Sequence, residues 1–120
     1  MMKTFNLYLL LASSLLLTAC AQGPRNLYNW DQYQTVVYQH MQGDETGVEA
    51  QITALEKNQQ EASAKGQAVP PGFHAHLGML YAQLGKDEQT RQQFETEKRL
   101  FPESAPFMNF LMSNKKGVTQ

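Results

Sequence analysis

The chain has 120 residues, a formal net charge of −1 at pH 7 and a single cysteine. This balance of charge argues against nucleic-acid binding, because such binding needs a basic face that neutralises phosphates. One cysteine excludes an internal disulfide and a cysteine-based metal cluster. The length suits one domain that folds around its own core.

The first predicted element is an export signal over residues 1–19. Lys3 gives it a positive charge, and the mostly apolar run at 5–17 is too short to span a membrane, which takes roughly 20 apolar residues. The run ends in LTAC at 17–20, which resembles the lipobox of bacterial lipoproteins. That resemblance implies a diacylglycerol thioether on Cys20, cleavage before it and further acylation of the new amino group. The alternative is an ordinary secretory signal with a chance cysteine.

The predicted lipid anchor sets the expected location. Two or three acyl chains hold a protein stably on a membrane. Residue 21 is Ala, whereas in enteric-type lipoproteins an Asp there retains the protein in the inner membrane. We therefore expect the outer membrane, with the chain facing the periplasm. Residues 20–28 then form a lipidated tether, 29–114 the folded domain and 115–120 a flexible tail.

The folded domain is predicted to be all-α, because apolar residues recur every three or four positions and no stretch alternates apolar and polar residues as a strand would. The first helix is predicted to end at Gly43, since a residue without Cβ readily adopts the left-handed conformation of a helix cap. Its apolar stripe consists of Trp30, Tyr33, Val37 and Met41.

A second helix is predicted after Asp44, with Thr46 and Glu49 spaced as a capping box. Residues 58–68 lack large apolar side chains, so they have little to bury, and we expect a solvated helix end that runs into a loop near Gly66. The apolar stripe of this helix consists of Val48, Ile52 and Leu55.

Three further helices are predicted after the stiff connector at 69–72. The third ends at Gly85, Asp87 caps the fourth, Pro102 stops the fourth, and Ser104 caps a short fifth. The main apolar positions of these helices are Phe73, Leu77, Leu80, Tyr81, Leu84, Phe94, Leu100, Phe101, Phe107, Phe110 and Leu111.

Residues 71–104 have the length of a tetratricopeptide repeat, about 34 residues. The segment resembles such a repeat, in which Gly78 lets two helices approach closely and Phe94 fills the gap between them. The first two helices form a weaker copy, so we expect about two hairpins plus a short C-terminal capping helix. The matched positions are Leu77, Gly78, Tyr81, Gly85, Phe94 and Pro102, and the departures are His74, Thr90 and Glu97.

Three segments carry a wider resemblance: LYNWDQY at 27–33, GQAVPPG at 66–72 and FPESAPFM at 101–108. They resemble a family of short bacterial lipoproteins that is known chiefly as a domain of unknown function, and the similarity covers most of 20–114. Genes of that family lie beside those of a lipoprotein similar to the curli-secretion pore component and of another small lipoprotein. The resemblance implies a part in a cell-envelope assembly, with other envelope lipoproteins as partners, and it carries no catalytic residues.

Two surfaces are candidates for binding a partner protein. In tetratricopeptide proteins the first helix of each hairpin lines a concave face, and the resemblance implies that this face consists here of Ala75, Met79, Ala82 and Gln83. The alternative is that these residues pack against the first hairpin. The second candidate is the last helix, which either caps the core or leaves an exposed apolar patch. Its apolar cluster consists of Phe107, Met108, Phe110, Leu111 and Met112, of which Phe107, Met108 and Met112 are the candidate partner-binding residues.

No residue pattern predicts catalysis, a cofactor or a metal site. His74 and His76 stand two positions apart, so on a helix their side chains project about 200° apart and cannot hold one ion. His40 is distant in sequence, and we expect all three histidines on helix surfaces. We therefore expect a non-enzymatic scaffold component of a cell-envelope assembly, held at the membrane by lipid on Cys20. The alternative is an accessory subunit that regulates a periplasmic cell-wall or export enzyme.

Overall fold

The computed structural model of the chain describes residues 1–2, 4–5, 26–43 and 47–114. Cys20, the 115–120 tail and nearly all of the export signal lie outside these residues, as do Asp44 and Thr46. The described domain is all-helical, which confirms the prediction of an all-α domain. Its helices are α1 (Asp31–Gln42), α2 (Val48–Ala64), α3 (Phe73–Gln83), α4 (Asp87–Leu100) and α5 (Ala105–Asn114), with a 3-10 turn at Pro102–Ser104 before α5.

Helix α1 has the predicted extent, but its buried face differs from the predicted stripe. Val36 is buried and Val37 is only half-buried, whereas Met41 is 80 % exposed. Val36 and Val37 lie about 100° apart around the helix, so the face that α1 presents to the core is rotated away from the predicted stripe. The helix ends at Gly43 with φ +65°, which confirms the predicted left-handed cap.

Helix α2 is more buried at its C-terminal end than the sequence predicted. It continues to Ala64, and both Asn58 and Ala62 are buried. The prediction of a solvated helix end is therefore wrong. A small side chain such as Ala62 and a hydrogen-bonded amide such as Asn58 can face the core, just as a large apolar side chain does. The loop near Gly66 is present as a turn. The helix begins with Gly47 as its N-cap, one residue after the cap that the capping box required.

Helices α3 and α4 pack closely through Gly78. A Cβ at this position would lie 2.6 Å from Cε1 of Phe94, so only glycine permits the observed approach. Lys86 is the N-cap of α4, which places Asp87 in the first turn instead of the predicted cap position. Ser104 does not cap α5 either, because its hydroxyl donates to the carbonyl oxygen of Phe101 at 2.7 Å.

The core lies among α1, α2 and α3. Three leucines and one phenylalanine in it are fully buried. Truncating such a side chain to alanine typically lowers the free energy of unfolding by about 2–5 kcal/mol. Tyr33, Val48, Ala54 and Leu84 pack around this centre and are only partly buried. The core residues are Val36, Ile52, Leu55, Ala62, Val69, Phe73, Leu77, Leu80 and Tyr81.

Candidate interaction surface

A buried polar side chain of α2 supports the first turn of α1. The backbone N–H of Gln32 donates to Oδ1 of Asn58 at 2.7 Å, and Nδ2 of Asn58 donates to Oδ1 of Asn29 at 3.3 Å. Asn29 also accepts the N–H of Asp31 and donates to the side chain of Gln67. The free N–H groups at the start of a helix need acceptors, and here a neighbouring helix supplies one.

Helix α4 supports the first turn of α3 in the same way. The buried carboxylate of Glu97 accepts the N–H of Gly72 at 2.7 Å and that of Ala75 at 3.3 Å. Burial and the charge of Glu97 raise the pKa of Tyr33 above its usual value. Gly72 has φ +89°, and a Cβ there would lie 2.8 Å from the hydroxyl of Tyr33. Glu97, a departure from the tetratricopeptide pattern in the sequence, thus has a structural role in this domain.

Three of the four residues predicted to line a concave face border one cavity in the structure. Met79, Ala82 and Gln83 share the wall of a shallow cavity of about 210 Å³. Ala75 does not line this cavity, and its backbone N–H is bound by Glu97. The remaining walls of the cavity come from α4 and α5, so the cavity is a groove between three helices. The residues that complete it are Thr90, Phe94 and Leu111.

Helix α5 is divided between core and surface. Met108 is buried, which confirms a core contact, and Met112 is half-buried. Phe107 is 56 % exposed and Phe110 is 54 % exposed, and their rings stack with centroids 6.5 Å apart and an interplanar angle of 17°. Of the two alternatives for this helix, Met108 has the core position, whereas these two rings form an exposed patch. They stand three positions apart and form an exposed aromatic pair.

The histidines occupy positions that differ from the predicted helix surface. His74 is buried, and its Nδ1 lies 2.7 Å from Oε1 of Gln93. His40 and His76, which are distant in sequence, meet with ring centroids 5.1 Å apart in an edge-to-face contact. Burial, followed by repulsion from His40, lowers the pKa of His76 to about 4. Within the described ranges, no group of three or more His, Cys, Asp or Glu residues is placed to hold a metal ion.

Tyr81 and Glu56 join α3 to α2 at the edge of the core. The phenol of Tyr81 donates to Oε1 of Glu56. Burial, then the hydrogen bond and the negative charge of Glu56, raise the pKa of Tyr81 to about 12. The phenol therefore stays protonated and keeps donating at neutral pH, which suits a structural contact between the two helices.

The sequence matches the family described as "Domain of unknown function (DUF4810)" over residues 27–111. The chain belongs to this family. No curated protein and no solved structure matches it. The DUF4810 match begins at Leu27 and ends at Leu111, so it includes all of the groove between α3, α4 and α5 and both rings of the aromatic pair. Across the part of the chain that the structure describes, no helix has both the length and the apolar character needed to cross a membrane.

Sequence reasoning missed some residues of the DUF4810 domain that form its surfaces. Phe110 was one member of the apolar cluster on the last helix, and its spacing of three from Phe107 indicates a shared helix face. Thr90 and Phe94 were considered only as repeat positions, and their place in the groove depends on how α5 lies across α4. Cys20 and its predicted lipid lie outside the described residues.

Proposed function

We propose that this chain is a lipid-anchored, non-enzymatic scaffold component of a cell-envelope assembly that binds another envelope protein through α5. The observation that carries this proposal is the exposed, stacked pair of Phe107 and Phe110. Exposed aromatic rings that lie together are typical of protein-binding surfaces. The groove beside them, with Met79 on its wall, offers further apolar contact.

The LTAC sequence supports a lipid anchor on Cys20. Attachment to the outer membrane, facing the periplasm, concentrates the domain near other anchored proteins. Binding between two proteins on one surface then requires only a modest intrinsic affinity, because the effective concentration is high. Other envelope lipoproteins are therefore the proposed partners.

A tetratricopeptide-like arrangement is part of the proposal. The close contact of Gly78 with Phe94 supports it, because the same glycine and aromatic positions hold the two helices of that repeat together. The helix-start supports from Asn58 and Glu97 suit two successive hairpins of one design, since each second helix caps its own first helix. In such an arrangement α5 serves as the C-terminal cap of the stack.

The anchor is tested by a Cys20→Ala variant expressed in the native bacterium. We expect the wild-type chain in the outer-membrane fraction, with a mass that corresponds to cleavage before Cys20 and added acyl groups. The Cys20→Ala chain should keep its uncleaved signal and should lose this modification. A wild-type chain without lipid on Cys20 would contradict the proposal.

The partner surface is tested by photo-crosslinking in intact cells. Phe110 is replaced by p-benzoylphenylalanine, which resembles it in shape, and the control carries the same probe at Tyr38, an exposed aromatic on α1. We expect defined crosslinks to envelope proteins from position 110 that disappear with Phe107→Ser. Equal crosslinking from both positions, or none from position 110, would overturn the proposed surface.

The same experiment bears on the alternative role as an accessory subunit. If the crosslinked protein is a cell-wall or export enzyme, its rate is measured with the purified wild-type chain and with the Phe107→Ser variant. A change in rate that requires Phe107 would assign regulation, whereas an unchanged rate with binding intact would assign scaffolding.

A further inference from the structure

A second exposed apolar surface lies where the chain enters the domain. Leu27 is 77 % exposed and Trp30 is 42 % exposed. Between them, the half-buried ring of Tyr28 contacts Trp30 at 6.3 Å and Phe101 at 6.4 Å between ring centroids. Leu100, the neighbour of Phe101 at the end of α4, is also exposed. These five residues are referred to as the N-terminal aromatic cluster.

The cluster lies at one end of the helical domain. Asn29 donates its backbone N–H to the carbonyl oxygen of Ala68 at 2.8 Å, which brings the start of α1 beside the loop that follows α2. Glu97, near the end of α4, binds Gly72 at the start of α3. The two hairpin turns therefore lie at the opposite end, about 18 Å away along a helix of twelve residues such as α1.

The length of chain before the cluster fixes how far it can lie from the lipid. Six peptide bonds connect Cys20 to Asn26. A fully extended segment of that length reaches at most about 22 Å. If Cys20 carries lipid, the cluster contains the first described residues of the domain after the anchor, and it lies close enough to reach the bilayer.

We propose that the N-terminal aromatic cluster contacts the phospholipid surface and sets the orientation of the domain on the membrane. This inference rests on the proposed lipidation of Cys20. Tryptophan and tyrosine combine an apolar ring with a polar tip, and both favour the boundary between headgroups and acyl chains. Leu27 and Leu100 provide apolar side chains that gain by leaving water. Nζ of Lys65 lies 3.7 Å from Oδ2 of Asp31 beside the cluster. The negative charge next to Trp30 in sequence is therefore paired with a positive one.

The orientation follows from the geometry of the two ends. With the cluster on the lipid, α1 runs away from the membrane. The hairpin turns at Gly43 and Gly85 are then the parts of the domain farthest from the membrane. The proposed contact is shallow, because an interfacial segment buries its apolar face by only about 5–10 Å. Residues two turns along α1 from Trp30 therefore remain in water.

The chain contains one tryptophan, so Trp30 is a built-in probe of this contact. The full-length, processed protein is purified from membranes and reconstituted into phosphatidylcholine vesicles, with or without bromine atoms on the upper part of the acyl chains. Bromine quenches tryptophan only at close range. We expect loss of Trp30 emission in the brominated vesicles. We also expect the emission maximum in vesicles to be blue-shifted relative to that of the protein in buffer after a lipase has removed its acyl chains.

The matched control moves the probe along the same helix. A Trp30→Phe and Tyr38→Trp double variant keeps an aromatic ring at both positions, and residue 38 lies about 12 Å farther along α1. We expect its emission to be unaffected by bromine. Equal quenching of both proteins, or no quenching of Trp30, would overturn the inference.

The mass of the reconstituted protein separates the two proposals. A chain that carries lipid on Cys20 but shows no quenching of Trp30 contradicts only the membrane contact. A chain without lipid contradicts the proposed anchor and the inference together. Quenching that persists after Leu27→Asp, which places a charge in the contact, would also count against the cluster as the lipid-binding surface.

Discussion

The carboxylate of Glu97, near the end of α4, accepts the backbone N–H of Gly72 at the start of α3, with a distance of 2.7 Å between Oε1 and N. Its second oxygen accepts the N–H of Ala75 at 3.3 Å. Helix α3 has no acidic residue in its own first turn. The negative charge that favours a helix N-terminus is therefore supplied by another helix.

We expect Glu97→Ala to lower the free energy of unfolding by about 1–3 kcal/mol, because two backbone N–H groups lose their acceptor in a buried place. Glu97→Gln should lose less, since its amide oxygen can still accept one of them. The measurement is urea denaturation followed by circular dichroism. The control is Glu95→Ala, an exposed residue of the same helix that pairs with Lys98. Equal losses from Glu97→Ala and Glu95→Ala would contradict the assignment.

Asn58 is expected to contribute to the stability of the first hairpin as Glu97 does to that of the second. Asn58→Leu leaves the N–H of Gln32 without its acceptor and removes one of the two donors to Oδ1 of Asn29, at a cost of about 1–3 kcal/mol in the free energy of unfolding. Gln60→Ala, an exposed change on the same helix, should stay within about 0.5 kcal/mol. Thermal unfolding of the two variants side by side provides the comparison. A neutral Asn58→Leu would show that the buried amide is not needed.

The contact between Gly78 and Phe94 predicts a coupled pair of substitutions. Gly78→Ala places a methyl group 2.6 Å from the present position of the Phe94 ring, so we expect a loss of about 1–3 kcal/mol despite the better helix propensity of alanine. In a Phe94→Leu background the same change should cost less, because the ring has gone. A double-mutant cycle measured by chemical denaturation gives the coupling energy. Additive losses would argue against the close packing of α3 and α4.

His76 predicts a specific dependence of stability on pH. In the folded chain the pKa of His76 is lowered to about 4, whereas an unfolded histidine titrates near about 6.5. The unfolded state therefore binds more protons between these values, and the free energy of unfolding falls as the pH drops from about 6.5 towards 4. Above pH 6.5 this contribution is constant.

We expect the melting temperature of the wild-type chain to fall between pH 7.5 and pH 5 by more than that of His76→Phe. Phenylalanine keeps an aromatic ring against His40 and Tyr33 but does not titrate. The carboxylates are common to both proteins, so the difference between the two curves reports His76. The same fall in both proteins would show that the titration of His76 does not govern the acid sensitivity.

The helices could be predicted from sequence because the signals are local. Gly43 and Gly85 both have positive φ and end their helices, and Phe73, Leu77 and Leu80 repeat at helical spacing and are buried as expected. The contact of Gly78 with Phe94 was also predicted, through the resemblance to a repeat in which these positions meet. Such features need no knowledge of distant residues.

Buried polar residues could not be predicted in the same way. Asn58, His74 and Glu97 are each nearly inaccessible, although their residue types usually indicate a helix surface. Each is buried because a partner from another helix satisfies it, and that partner is distant in sequence. The meeting of His40 with His76 and the exposure of Phe107 likewise depend on how whole helices are placed.

The pairing of Tyr28 with Ala68 has a mechanical consequence for a chain tethered at its N-terminus. Asn29 is bonded to the loop between α2 and α3, and Tyr28 is packed on Phe101 after α4. Force applied through such a tether would therefore be distributed to both hairpins through Ala68 and Phe101, and would not act on the first turn of α1 alone. In the proposed lipid-anchored protein, force at this point is shared by the two hairpins.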